Sequence, residues 1–248
     1  MQDKTNLPSR IQDAVLFVQR RNCPKFIGFL SEQETSLALS NLKYVTDVSY
    51  RLWAGYEEGE RAVLGIFPPN MEIDTAVFPI VAVCFNYREQ DKLSHRDFLG
   101  ALMSLGIERD TVGDIAVDTG KTIVFLHKNI ADYCLSQIQK IGSVGVSVNI
   151  TDANNLSLTK RFEEKSATIA STRLDNIVGA ICNLSRSKAL QLIEDGFVAI
   201  DGIITTKSTK QIPSNCKLSV RGYGKFVVTA VDQITRKGRI ILEYKKYI

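Results

Sequence analysis

The order of strand and helix patterns between residues 72 and 152 constrains this chain more than any other feature. Val77 to Tyr87 is rich in β-branched and aromatic residues and reads as a strand. Ser94 to Leu105 reads as a helix. Its opening, Ser94-x-x-Asp97, lets the serine oxygen accept a backbone N–H while the carboxylate reaches back to the chain before it. Gly113 to Asp118 and Lys121 to His127 form a hairpin across Thr119-Gly120. Asn129 to Ile141 reads as a second helix, with Ile130, Cys134, Ile138 and Ile141 on one face. Val144 to Ile150 is a last strand. The order is βαββαβ.

That order predicts a ferredoxin-like, RRM-like domain over 72–152. RNA-recognition domains of this shape stack bases on aromatics of the first and third strands. The third strand here offers only Phe125, and no R-G-F-G-F-type run is present. The sheet therefore reads as a scaffold rather than a stacking platform.

The flanking segments differ in pattern. In 1–71, Ile11, Val15 and Val18 recur at helical spacing, and Ser31-Glu32-Gln33-Glu34 has capping-box form ahead of Leu37, Leu39 and Leu42. Val48 to Trp53 and Arg61 to Phe67 read as strands around the Gly55–Gly59 turn, and Pro68-Pro69-Asn70 is a break. Residues 153–170, with Asn154-Asn155 and a charge cluster from Lys160 to Lys165, read as a linker. The expected fold class is α+β in three small domains. These are an N-terminal α/β domain (1–71), the ferredoxin-like domain (72–152) and, after the linker, a C-terminal domain (171–248).

Charge separates the last domain from the rest. The 248 residues carry a net charge of +4, which marks no function by itself. Residues 171–248 hold 13 Lys+Arg against 6 Asp+Glu, a net of +7; residues 1–170 hold 18 against 21, a net of −3. An apolar fraction of 44% excludes wholesale disorder. The apolar run from Ala76 to Phe85 contains Pro79 and is too short to span a bilayer, and the polar Met1 to Arg10 does not read as a signal peptide. Five scattered cysteines without a C-x-x-C, and only His95 and His127, predict neither a disulfide framework nor a metal centre. A cytoplasmic, monomeric protein without cofactor follows as the expectation.

In the basic domain, Leu174, Ile177, Val178 and Ile181 form one face of a helix behind Thr172-x-x-Asp175, read as a capping box that spends Asp175 on the cap. Ser185 caps a second helix, Arg186 to Asp195, which Gly196 ends. Arg186 and Lys188 in the first turn oppose the helix dipole, an arrangement that makes sense if that end holds a phosphate. A strand at Val198 to Ile200 reaches the Asp201-Gly202 turn. Further strands follow at Lys217 to Arg221 and Phe226 to Ala230, and a last pair surrounds Lys237-Gly238.

This segment resembles the S-four RNA-binding domain in Arg173-Leu174-Asp175, Ser185-Arg186-Ser187-Lys188-Ala189, Leu192-Ile193, Gly196-x-Val198, Asp201-Gly202, Lys207 and Ser219-Val220-Arg221-Gly222. It departs from that pattern at Ser208-Thr209, at Leu190 and at Asn215-Cys216, where asparagine tolerates the left-handed turn. The resemblance implies that two helices and a hairpin form an RNA-docking face. Arg173, Arg186, Lys188 and Lys207 are the leading contact candidates, with Lys210, Arg221 and Lys225 completing the set.

Further motifs extend the resemblance. Ser94 to Leu102, Leu105-Gly106-Ile107, Gly113-Asp114-Ile115, Gly55-Tyr56 with Glu60-Arg61, and Val220 to Phe226 are similar to the bacterial YlmH-type RNA-binding proteins, motifs also shared by a photosynthetic-lineage branch. The resemblance implies a ribosome-associated binder of structured rRNA or tRNA, acting in translation or stalled-ribosome quality control. It implies no catalysis and no small-molecule substrate. His95-Arg96-Asp97 echoes a kinase loop, but Leu102 stands where its asparagine belongs. Arg96 and Asp97 read instead as helix capping and a surface ion pair with His95 exposed in the first turn, and His95 and Arg96 are the alternative candidates for contact with a partner. The pairs Glu57-Glu58 and Glu163-Glu164 read as solvated charges. No G-x-G-x-x-G or P-loop occurs. The competing class is a protein-interaction adaptor, in which the acidic first two domains carry the function and RNA serves localisation.

Overall fold

The computed structural model describes residues 6–57, 59–152, 162–235 and 238–247. The chain divides into two compact units, Met1–Leu158 and Thr159–Ile248. The part of the expected linker at 153–161, together with Glu58 and Lys237, lies outside the described residues.

The first unit opens with α1 (Leu7–Arg21), which carries a proline in its first turn and ends on Asn22 at φ 51°. Then come β1 (Lys25–Leu30), α2 (Glu32–Leu42), β2 (Ser49–Trp53) and β3 (Ala62–Phe67). The capping box at Ser31 and Glu34 forms as expected. The sequence reading missed β1. Its pairing to β3 shifts between Ile27 and Phe29, and this break in alternation hides the strand. The three strands form an antiparallel sheet in the order β1-β3-β2. On one face Ile27, Leu64 and Ile66 pack against Ile11, Val15, Val18, Ala38 and Leu42 of the helices.

Next come β4 (Ile80–Asn86), α3 (His95–Ser104), β5 (Val112–Asp118), β6 (Lys121–His127), α4 (Lys128–Gln137), the short pair β7 (Lys140–Ile141) and β8 (Val144–Gly145), and β9 (Ser147–Thr151). The four-stranded sheet is antiparallel in the order β5-β6-β4-β9, as the βαββαβ pattern predicts. The expected second helix is shorter than predicted. It stops at Gln137, while Ile138 and Ile141 are buried from the segment and the β7–β8 hairpin that follow. Val83, Phe85, Val124 and Leu126 pack beneath Phe98, Leu102 and Cys134 of the helices.

The opposite face of this sheet is also buried. Ala82, Ile123 and Phe125 share one apolar cluster with Phe29, Val63, Phe67 and Phe78. The three-stranded sheet therefore lies against the four-stranded one. Segments 1–71 and 72–152, expected as two domains, share this cluster and belong to one unit.

The second unit contains β10 (Phe162–Ile169), α5 (Leu174–Ile181), α6 (Arg186–Glu194), β11 (Val198–Ile200), β12 (Ile203–Ile204), β13 (Cys216–Val220), β14 (Gly224–Ile234) and β15 (Ile240–Tyr247). They make an antiparallel sheet in the order β10-β15-β14-β13-β11-β12. The expectation of a linker up to residue 170 is corrected here: Phe162 to Ile169 pair residue for residue with Tyr247 to Ile240. The segment is polar because it is an edge strand with one solvated face. Glu164 is ion-paired across the ladder to Lys245 at 2.8 Å, and Glu163 along its own strand to Lys165 at 3.0 Å. Leu174, Ile177, Val178, Ala189 and Ile193 of the helices cover Val198, Leu218, Val220, Phe226, Val228 and Leu242.

Candidate nucleic-acid interface

The helices of the second unit place their N-termini beside one buried carboxylate. Asp175 is 1% exposed. Arg173 donates to it through two nitrogens, Nε to Oδ1 at 3.0 Å and Nη2 to Oδ2 at 2.8 Å. Arg186, from the first turn of α6, brings Nε to within 3.4 Å of the same Oδ2. The backbone N–H of Asn176 donates to Oδ1 at 3.0 Å. The Arg173 hydrogen bond, first among its partners, holds the Asp175 carboxyl below the usual carboxylate range.

Asp175 is not the cap that the sequence suggested. The first N–H groups of α5 are taken by the 208–210 loop: Leu174 donates to the Lys210 carbonyl at 2.9 Å and Asp175 to the Ser208 carbonyl at 3.1 Å. With its orphan donors satisfied from outside, the helix needs no side-chain cap, and Arg173 occupies the cap position without one. The same loop is tied down by Ile212 N–H to the Thr172 carbonyl at 2.9 Å, and by the Thr172 hydroxyl to the Gln211 side chain.

The loop that carries Lys207 and Lys210 is thereby fixed to the start of α5. Ser185 caps α6 by accepting from the Lys188 N–H. Arg173 and Arg186 thus meet at Asp175, while Lys188 lies on the same helix start as Arg186, and Lys207 and Lys210 lie on the loop anchored to the start of α5. Arg186, Lys188, Lys207 and Lys210 are exposed, and Arg173 is partly so.

Arg221 and Lys225 are carried by other elements, just past the end of β13 and on β14. The Arg221 N–H donates to the Phe197 carbonyl at 2.9 Å and its guanidinium lies 5.1 Å from the Phe197 ring centre. Phe197 follows the C-terminal end of α6, about 13 Å along the axis from Arg186 for a nine-residue helix. Lys225 lies on β14 opposite Ser219. Asn215 adopts φ 60°, the left-handed turn expected of it before β13.

In the first unit His95 and Arg96 are exposed in the first turn of α3, beside the Ser94–Asp97 capping box. Phe125 is fully buried and stacked on Tyr56, so the sheet face that would carry bases is closed. The motifs Gly55-Tyr56, Glu60-Arg61 and Gly113-Asp114 converge at this seam. The Asp114 carboxylate accepts from Tyr56 Oη at 2.8 Å, from Glu60 N–H at 2.6 Å and from Arg61 N–H at 3.1 Å. Arg61 Nη2 donates to the Phe29 carbonyl at 2.7 Å. A Cβ on Gly113 would meet the Phe29 ring at 2.6 Å, and Gly55, at φ 97°, would meet the Phe125 ring at 2.5 Å. These residues fasten the two sheets together, a role no spacing rule in the sequence could have revealed.

Burial pushes the thiols of Cys134 and Cys182 up to about 11, which leaves them protonated and unreactive at neutral pH. Among the described residues no group of three His, Cys, Asp or Glu side chains is placed to hold a metal ion, and no helix is long and apolar enough to cross a membrane.

Comparison with known proteins agrees with this architecture. The family model described as "Putative RNA-binding domain in YlmH" matches residues 75–155, the segment that carries β4 to β9. The Ribosome-associated protein quality control protein P2 of Bacillus subtilis (strain 168) is 28% identical over 235 residues, covering 92% of this chain and 90% of that protein. The solved structure of Cell division protein ylmH from Streptococcus pneumoniae aligns with a TM-score of 0.51 at 20% identity, over 58% of this chain and 88% of that one, a likeness of fold. The chain is thus similar to YlmH-type proteins, in its middle segment by the family model and along nearly its whole length by the Bacillus relative.

Proposed function

We propose that this protein is a non-catalytic RNA-binding protein of the cytoplasm. It docks on structured ribosomal RNA or tRNA through its C-terminal unit and acts on the ribosome, in translation or the handling of stalled ribosomes. The observation that carries this reading is the meeting of Arg173 and Arg186 at one buried carboxylate, with Lys188 on the same helix start as Arg186 and Lys207 and Lys210 on the loop whose backbone is tied to the start of α5. At the α6 N-terminus the dipole and two cations favour the same anion. The net of +7 over residues 171–248 supplies the long-range attraction. The Bacillus relative, named for ribosome-associated protein quality control, supports the ribosomal setting.

An A-form major groove is too narrow to read, so recognition rests on RNA shape and phosphate position more than on sequence. Cosedimentation of the full chain with ribosomes washed at rising salt tests the reading. The expected result is retention at low salt that falls steeply, because each neutralised phosphate releases counterions. A protein that stays off ribosomes and off isolated ribosomal RNA at low salt refutes it.

A further inference from the structure

We infer that Asp175 is a positioning residue for RNA binding: one carboxylate holds Arg173 and Arg186 side by side as a preset pair for phosphate. The inference rests on the RNA-binding reading of the C-terminal unit and adds to it an acidic residue that charge counting would place among the residues opposing RNA.

The geometry favours this over a purely structural role. Oδ2 takes Arg173 Nη2 at 2.8 Å and Arg186 Nε at 3.4 Å, so two guanidinium groups from different helices meet at one oxygen. Oδ1 takes Arg173 Nε and the Asn176 N–H, both at 3.0 Å. Three hydrogen bonds and the Arg186 ion pair engage the carboxylate, and the helix N–H among them is that of its own neighbour.

A carboxylate taken wholly out of water is costly, and apolar residues in its place often leave a protein as stable or more so. What the carboxylate alone provides is order in two long side chains. Arg186 is 67% exposed and would otherwise sample many rotamers; held at Nε, it keeps its Nη donors for another acceptor. An arginine already oriented loses less freedom when it grips a phosphate. Asp175 thus lowers the net charge of the patch by one and improves its fit at close range.

These two effects have opposite signs, which makes the inference testable on the full chain. The probe is a fluorescein-labelled RNA stem-loop, with its affinity followed against NaCl by anisotropy. Removing the negative charge in Asp175→Asn tightens binding if only charge counts. Positioning predicts weaker binding by about tenfold, the equivalent of one charge-assisted hydrogen bond, at an undiminished salt slope. Equal or tighter binding overturns the inference.

Arg186→Lys serves as the second variant, since the side chain is exposed and the fold does not depend on it. It keeps the charge but has no Nε to place on Asp175 and no fork to present. A several-fold loss is expected, and unchanged affinity overturns the inference. In an Arg173→Ala/Arg186→Ala background, Asp175→Asn should cost nothing more; a full additive loss shows that Asp175 acts through the fold instead. If the wild-type chain itself fails to bind the stem-loop at low salt, the RNA-binding reading falls. If it binds and only these variants disobey, the positioning role alone falls.

Discussion

The Tyr56 ring stacks on Phe125 with centroids 4.7 Å apart and planes 19° from parallel. Phe125 is the one aromatic of β6 in the four-stranded sheet, the position at which RNA-recognition domains of βαββαβ order lay a base. Here a side chain of the chain's own N-terminal segment occupies that place, and Asp114 holds it there through the tyrosine hydroxyl. The closed face is built in by packing on both sides of the ring.

Phe125→Ala should therefore behave as a core mutation. It empties a fully buried site shared by both sheets, with an expected loss of about 3–5 kcal/mol. Urea unfolding of the first unit measures it. RNA affinity under native conditions should stay at the wild-type value; a selective loss of binding with stability retained would show that the ring contacts RNA after all.

Asp114→Ala should loosen the same seam. It removes the carboxylate that accepts from the Tyr56 hydroxyl and from the N–H groups of Glu60 and Arg61, at a cost of about 2–3 kcal/mol. Tyr56→Phe removes only the hydroxyl and should cost about 1 kcal/mol. Amide exchange at residues 60 and 61 should speed up in the first variant and stay slow in the second. Equal protection in both would mean that the carboxylate does not tie the seam.

The closed face was present in the sequence as a signal read too narrowly. An open sheet alternates apolar and polar residues, whereas Ala62 to Phe67 and Ile123 to Leu126 are unbroken apolar runs, the pattern of strands covered on both faces. The βαββαβ order, the capping boxes at Ser31 and Ser94 and the Ser185 cap were legible because each depends on residues near in sequence. The strand Lys25–Leu30 was hidden by its bulge, and Phe162–Ile169 by the charges of an edge strand. Asp175 was misread because its partners come from a second helix and its helix is capped by a loop 33 to 35 residues on, neither visible in local spacing.

The edge strand carries a prediction of its own. A fragment beginning at Ser171, the boundary that the sequence suggested, leaves the whole of Ile240 to Tyr247 without its outer partner and removes the buried Ile169. The lost burial of that isoleucine alone amounts to about 2–3 kcal/mol. A fragment beginning at Thr159, the start of the compact unit, keeps both. The shorter fragment should melt lower and aggregate more readily through its exposed strand. Equal melting temperatures would show that β10 contributes nothing to the unit.

The Asp175 carboxyl also sets a pH response. Its folded-state pKa lies below that of the unfolded chain, whose aspartates titrate near about 3.9. The stability it contributes is fully present above the unfolded value and is lost as pH falls through the folded one. The stability difference between wild type and Asp175→Asn should therefore be constant from neutral pH down to about 5 and shrink below about 4. Chemical denaturation across that range checks it. A difference that widens on acidification would mean that the carboxyl is protonated first in the native state, against the arginine pairing.

The final prediction concerns Arg186 and Lys188 together. Both lie in the first turn of α6 and both are exposed, so Arg186→Ala/Lys188→Ala removes little packing. Basic residues at a helix N-terminus oppose the dipole, so their removal should leave stability unchanged or raise it by up to about 1 kcal/mol, after allowing for the lost Arg186–Asp175 contact. RNA binding should respond differently. Two phosphate contacts fewer should flatten the slope of log affinity against log salt by about 1–2 units, with a loss that is similar across RNA sequences. Affinity that falls with the slope intact would place these side chains on bases or on a protein partner. An unchanged affinity would move the phosphate grip away from the start of α6, toward candidates such as Arg221, which sits beside Phe197 past the other end of the helix.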